Sequence, residues 1–201
     1  EIVRDIAVGV VDSGIRSGII GEIGCSWPLT KNERKVLRAA AAAQGPTGAA
    51  ITIHPGRHPT VPMEILHIIE EAGGDVKRTI MGHLDRTVFD FDTLRELAAT
   101  GCYLEFDLFG LESSRYPLAP IDMPNDGRRI DLIMQLIEEG HLNQVMISHD
   151  IAWKTSLLRY GGYGYAHILQ VVVPMMRKKG VKDEQVKAIL IENPKRILAI
   201  G

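Results

Sequence analysis

Short apolar runs recur along this chain, and each gives way to a polar residue followed by a stretch of helical periodicity. Residues 18–22 read Gly-Ile-Ile-Gly-Glu, 50–54 Ala-Ile-Thr-Ile-His, 79–83 Thr-Ile-Met-Gly-His and 145–150 Val-Met-Ile-Ser-His-Asp. Continuous apolar runs of this length read as strands buried on both faces, the parallel-sheet case. Tyr-Leu-Glu-Phe-Asp at 103–107 adds a fifth run, with apolar and acidic residues alternating. Strands are therefore predicted at 18–23, 50–54, 79–83, 103–107 and 145–149. Helices are predicted at 31–44, 62–72, 92–100 and 128–139, with two more at 165–179 and 184–199. Their ends carry chemical signals. Thr30 and Glu33 form a capping-box pair, Gly45 and Pro46 stop the Ala-rich helix, Pro62 suits a first turn, and Gly73, Gly74 and Gly101 supply further stops. Ile2, Ala7, Val10 and Val11 share one face of an opening helix that Gly14 ends.

The polar strand ends Glu22, His54, His83, Asp107 and Asp150 follow one another at intervals of 32, 29, 24 and 43 residues. These are βα repeat lengths, which imply a parallel sheet with right-handed crossovers. An open doubly wound sheet gathers ligands at one switch point, whereas a (β/α)8 barrel turns every strand end toward one mouth. Four or five ends bearing candidate ligands favour the barrel. Five strands account for all 201 residues, so the expectation is a single domain, residues 1–201, holding strands 4–8 of a TIM barrel. A chain that opens inside a helix, on Glu1, is read as a fragment.

Composition narrows the partners. With 45% hydrophobic residues, 24% charged and a net charge of -2, the chain reads as an ordinary globular domain. No basic stripe points to nucleic acid, and no apolar segment approaches the length of a membrane span. Cys25 and Cys102 match no zinc or redox spacing, so a reduced, cytoplasmic setting is expected.

Candidate chemistry lies at the strand ends. Glu22 interrupts an apolar strand, which is costly unless the carboxylate is paired or bound to a metal. His54 and His83, each read singly, are better explained as hydrogen-bonded core or rim residues than as ligands. On consecutive strands beside Glu22, they read together as nitrogen ligands of zinc or a similar divalent ion. Asp150 closes the last strand, where a carboxylate can hold a metal and take a proton from water; its alternative is an N-cap. His149 alternates with it and points away. Asp107 is suited to orienting a ligand histidine or touching substrate, with a plain salt bridge as the alternative, and Asp85 and Arg86 are open to the same readings. Arg159 and Tyr160, with Tyr163, Tyr165 and three glycines nearby, form either a lid carrying a cation for an anionic substrate group or a partner interface. His67, His141 and His167 are read as structural.

The segments at 14–24 (Gly-Ile-Arg-Ser-Gly-Ile-Ile-Gly-Glu-Ile-Gly), 54–58 (His-Pro-Gly-Arg-His), 82–86 (Gly-His-Leu-Asp-Arg), 147–150 (Ile-Ser-His-Asp) and 192–198 (Glu-Asn-Pro-Lys-Arg-Ile-Leu) resemble the phosphotriesterase-related proteins. These belong to the amidohydrolase superfamily of binuclear-metal barrels. The resemblance implies two divalent metal ions, zinc by preference, with Glu22 bridging them where bacterial phosphotriesterases carry a carboxylated lysine. It gives His54 and His83 to one metal, and Asp150 to the other as ligand and base. A metal-bridging hydroxide would then hydrolyse a small N-acyl amide such as N-acetyltaurine, an anionic molecule. Lactonase or phosphotriesterase-like esterase activity is the competing implication. The family's His-x-His pair on the first strand has no counterpart in this sequence. A truncated metal-binding or interaction protein without turnover is therefore the alternative of a different class, and an oligomer is compatible with either.

Overall fold

The fold follows from a computed structural model that describes residues 1–113, 116 and 118–200. Five strands, β1 (Ile20–Gly24), β2 (Ile51–His54), β3 (Thr79–Met81), β4 (Tyr103–Phe106) and β5 (Val145–Ile147), pair in chain order in one parallel sheet. A doubly wound sheet would reverse its order partway across; a sheet wound in one direction is a barrel wall. The fold is thus the five-stranded portion of a (β/α)8 barrel.

Alternation along the strands divides the two faces. Ile51, Ile53, Met81, Leu104, Phe106, Val145 and Ile147 join the main core under the helices. Ala50, Ile80, Tyr103 and Met146 form a second cluster on the opposite face with Ile197. His54 follows Thr52 onto this inner face, and Asp107 follows Glu105. The outer layer comprises α1 (Ile2–Ala7), α2 (Lys31–Thr47), α3 (Val61–Glu71), α4 (Phe91–Ala99), α5 (Asp126–Glu138), α6 (Val173–Lys179), α7 (Asp183–Lys187) and α8 (Asn193–Leu198). Leu37, Ile65, Ile69, Leu94, Leu97, Ile133 and Leu136, at helical spacing, are wholly buried against the sheet.

Several expected boundaries move for identifiable reasons. α1 ends at Ala7, and Val11 stands exposed with φ 50°, so the apolar face expected through Val11 is not helical. α2 keeps its Thr30–Glu33 capping box but runs through Gly45 and Pro46 to Thr47, where Gly48 provides a left-handed cap (φ 66°). Pro46 has no amide to donate within that last turn, and the chain leaves the helix just after its neighbour Thr47. α5 starts at Asp126 because the Asn125 side chain accepts from the Arg128 amide, a cap signal that places the start two residues before 128. The last two helices each open out into a π-type segment, at Ile168–Val172 and Ala188–Glu192.

Candidate metal centre

Strand order brings Glu22, His54 and His83 to one end of the sheet. Glu22 is held there by Gly21, whose φ of +121° suits glycine and whose α-carbon lies so close to the Thr52 carbonyl that a β-carbon would collide with it. Gly82 plays the same part before His83: a β-carbon there would meet Asp107 Oδ2 at 2.9 Å and the Ile53 carbonyl at 3.0 Å. His83 itself lies just past β3, not within the strand expected at 79–83, and adopts a left-handed backbone (φ 52°, ψ 31°). Asp150 likewise has φ 34°. Left-handed non-glycine residues persist only where surroundings hold them, and two of the three among the described residues are at this mouth.

The three side chains converge closely. His54 Nδ1 is 3.2 Å from Glu22 Oε2, His83 Nε2 is 3.2 Å from Glu22 Oε1, and the two histidine nitrogens are 2.7 Å apart. One ligand atom from each residue fits within 4.8 Å of the others. Two imidazoles and a carboxylate at this spacing suit a divalent cation of the zinc type. Asp150 lines the same cavity but stands outside this close group.

A second layer fixes the histidines. Asp107, 5% exposed, accepts from the His83 backbone amide at 2.8 Å and from His83 Nδ1–H at 2.7 Å. With Nδ1 thus engaged, Nε2 faces the cavity, an arrangement usual for metal-binding histidines. Arg86, wholly buried, donates to His54 Nε2 at 2.9 Å and to the Pro55 carbonyl at 3.2 Å. Asp85 points elsewhere: its Oδ2 accepts from Arg129 Nε at 2.8 Å and from the Leu108 amide at 3.0 Å. His149 turns away from the mouth, with Nε2–H donating to the Tyr165 carbonyl at 2.9 Å.

Electrostatics reflect this crowding. Hydrogen bonds from His54 and His83 hold the Glu22 carboxyl far below the usual range. Burial disfavours a charged His83, but the hydrogen bonds to Asp107 and Glu22 outweigh it and push the imidazole up to about 10. Burial, with the charge of Asp107, raises Asp150. Glu105, one step down β4, is pushed up to about 8 by burial and then by Asp107. A carboxyl raised in the folded state binds more protons there than in the unfolded chain, so its contribution to stability falls as pH rises through that interval. Glu105→Gln, which mimics the protonated acid, is expected to leave the melting temperature nearly unchanged near pH 5 and to raise it above pH 8. Melting curves at both pH values check this; equal shifts at the two would remove Glu105 as the cause.

The mouth opens into a cavity of about 280 Å³ lined by Arg57, Leu108, Leu111, Tyr116, Trp153 and Tyr163, besides the candidate ligands. Arg159 and Tyr160 do not line it; both lie in the 3-10 turn Leu158–Tyr160, where Tyr160 is 55% exposed. Gly162 of this loop serves packing, because a β-carbon there would collide with the Thr155 and Ser156 backbone. Of Tyr160, Tyr163 and Tyr165, it is Tyr163 that reaches the cavity, its ring lying over Gly110 and its hydroxyl donating to the His149 carbonyl at 3.3 Å. Asp107 also lies off the cavity wall, beneath His83. The cationic residue that sequence reasoning missed is Arg57. Its signal was position: it follows a candidate ligand by three residues, in the loop leaving β2.

A barrel wall bearing a carboxylate and two imidazoles at the C-terminal strand ends defines a βα-barrel protein with a side-chain cluster that could hold a metal ion. The Phosphotriesterase family model matches residues 1–198. The chain belongs to that family. It is 52% identical over 201 residues to an N-acetyltaurine hydrolase of Dictyostelium discoideum, covering 100% of this chain and 54% of that protein. It is 50% identical over 198 residues to the Homo sapiens N-acetyltaurine hydrolase, covering 98% and 57%. The crystal structure of a resiniferatoxin-binding protein from Rhodobacter sphaeroides superimposes with a TM-score of 0.93 at 33% identity, covering 98% of this chain and 55% of that one. The chain thus spans little more than half the length of the curated relatives it matches. Among the described residues, no helix is long and apolar enough to cross a membrane.

Proposed function

We propose that the complete protein is a metal-dependent hydrolase of small N-acyl amides, with N-acetyltaurine the first substrate to test. The observation that carries this reading is the convergence of Glu22, His54 and His83 within 4.8 Å at the mouth of a cavity that Asp150 also lines. Relatives at about 50% identity that bear the name N-acetyltaurine hydrolase supply the substrate. Glu22, His54 and His83 would hold one divalent cation, zinc on the chemistry of the donors. A second would draw on Glu22 and Asp150 and would require donors beyond this group. Bound there, such cations supply a Lewis acid and lower the pKa of water.

The chain's own residues do the rest. Asp107 keeps the proton of His83 on Nδ1 and so leaves Nε2 free as a ligand. Arginine can only donate, so Arg86 makes His54 Nε2 an acceptor in this structure. For His54 to serve as a ligand through Nδ1, its proton would stand on Nε2, and the Arg86 guanidinium would then rest on the Pro55 carbonyl, which it already contacts from both amino nitrogens. Asp150 takes a proton from the attacking water on its carboxylate and returns it to the departing amine nitrogen. Leu108, Leu111 and Trp153 give the acyl group an apolar wall that excludes bulk water.

Taurine release from N-acetyltaurine by the metal-loaded full-length protein, followed by mass spectrometry, tests this reading. Turnover is expected, with Asp150→Asn lowering kcat about 10²- to 10⁴-fold. Intact amide alongside rapid turnover of a lactone or phosphotriester would transfer the assignment to the esterase class. No turnover of any of the three would favour a non-catalytic metal-binding role.

A further inference from the structure

Arg57 has no part in the metal centre, yet it is the lone Arg or Lys side chain lining the cavity among the described residues. Its surroundings leave its charge uncompensated. The described residues place no carboxylate in an ion pair with it. Its Nη2 donates to the Tyr116 hydroxyl at 3.2 Å, and its guanidinium lies 5.4 Å from the Tyr116 ring centre. Its Nε is buried and has no hydrogen-bond partner among the described residues. A charge of the same sign acts in its neighbourhood: burial and then the charge of Arg57 lower the pKa of Arg86. A buried donor without an acceptor is uncommon in a folded protein, and a guanidinium fork without a carboxylate is a ready-made anion receptor.

We propose that Arg57 binds the acidic head of the substrate and selects amides that end in an anion over neutral amides of the same length. The inference rests on the amide-hydrolase reading above and deepens it, naming the residue that sets specificity. Glu22, His54 and His83 hold the reacting end of the ligand, and Arg57, on the loop that follows His54, holds the other. The guanidinium offers a sulfonate the Nη–H bonds that Tyr116 leaves free, with the sulfonate oxygens as acceptors. Tyr116 keeps the fork oriented from the opposite edge.

Calorimetric binding of ethanesulfonate and of its neutral isostere ethyl methyl sulfone to the full-length, metal-loaded protein tests this without turnover. Arg57→Met is expected to weaken ethanesulfonate about 10- to 100-fold and to leave the sulfone within threefold. Arg57→Lys, which keeps the charge but loses the fork, is expected to fall between. Equal weakening of both ligands would mean that Arg57 acts structurally, and unchanged ethanesulfonate affinity would remove it from recognition; either overturns the proposal. So would a selective loss caused by Arg159→Met in place of Arg57→Met. Melting curves verify folding, and if Arg57→Met does not fold, Arg57→Lys decides by the same criteria. A protein that binds ethanesulfonate through Arg57 but leaves N-acetyltaurine intact sinks the hydrolase reading alone. One that hydrolyses it with sulfonate affinity independent of Arg57 sinks this inference alone.

Discussion

Arg129→Met is expected to lower stability by about 3–5 kcal/mol, the cost of leaving buried charges without their partner. The side chain is fully buried and binds three groups that would otherwise clash electrostatically or go unsatisfied. Nε donates to Asp85 Oδ2, Nη1 to Asp126 Oδ1 and Nη2 to the Leu111 carbonyl, each at 2.8 Å. Asp85 is wholly buried and Asp126 nearly so. Burial, with the charge of Asp107, pushes Asp85 up to about 6 against the pull of Arg129, and its Oδ1 already lacks a partner among the described residues. Asp126 also accepts from the Gly110 amide at 2.9 Å and from His167 at 2.7 Å. The network therefore ties the turn after β3, the loop after β4, α5 and the segment leading into α6. For a chain of this size the loss corresponds to a drop of roughly 6–20 °C in melting temperature. Because Leu108 and Leu111 hang from the same network and line the cavity, the variant is also expected to raise KM before it unfolds. A shift of under about 1 kcal/mol, the level of an exposed ion pair, would mean that the acids simply protonate when Arg129 is lost.

The sequence announces the strands because burial on both faces writes them as unbroken apolar runs, and the parallel order follows from the repeat lengths. What it conceals is decided across the chain. The helix end after Pro46 depends on where Gly48 can turn left-handed. The exit of His83 from its strand depends on Asp107, 24 residues later, capturing both its amide and its ring. The candidate ligands Glu22, His54 and His83 were legible because three metal-competent residues stood at equivalent places in successive repeats, and the structure brings them together. Arg57 was legible only by its place three residues after His54, since an arginine in a loop has no period and its significance lies in lacking an acid partner among the described residues. Conversely, Arg159 looked suited to an anion by loop chemistry, but a 3-10 turn ending at the left-handed Gly161 (φ 87°) keeps it off the cavity wall. Half-buried His167 and buried Asp126 carry no sequence signal for their pairing, which spans 41 residues.

Glu22→Ala and His83→Ala are each expected to abolish stoichiometric metal binding, whereas Asp107→Asn is expected to weaken it about 10- to 100-fold. Glu22 and His83 each contribute one of three donors in the close group, and a two-donor remnant leaves solvent to fill the coordination sphere. Asp107 touches no cation on this reading. It fixes the His83 ring, and an amide in its place can still accept from Nδ1–H but no longer brings a charge that strengthens the imidazole as a donor. The same charge sets the pH dependence. In the metal-free protein, hydrogen bonds to Asp107 and Glu22 hold the His83 imidazole protonated up to about 10 despite burial, and a cation must displace that proton. Affinity is therefore expected to rise with pH across the neutral range, with protons released on binding. Asp107→Asn should flatten that slope while lowering the affinity at high pH. Elemental analysis of the full-length variants gives the stoichiometry, and zinc titrations at pH 6, 7 and 8 give the slope. Two bound ions in the wild type, both lost in Glu22→Ala but only one in Asp150→Ala, would assign the bridging place to Glu22. Undiminished metal content in Glu22→Ala would put the binding elsewhere in the protein.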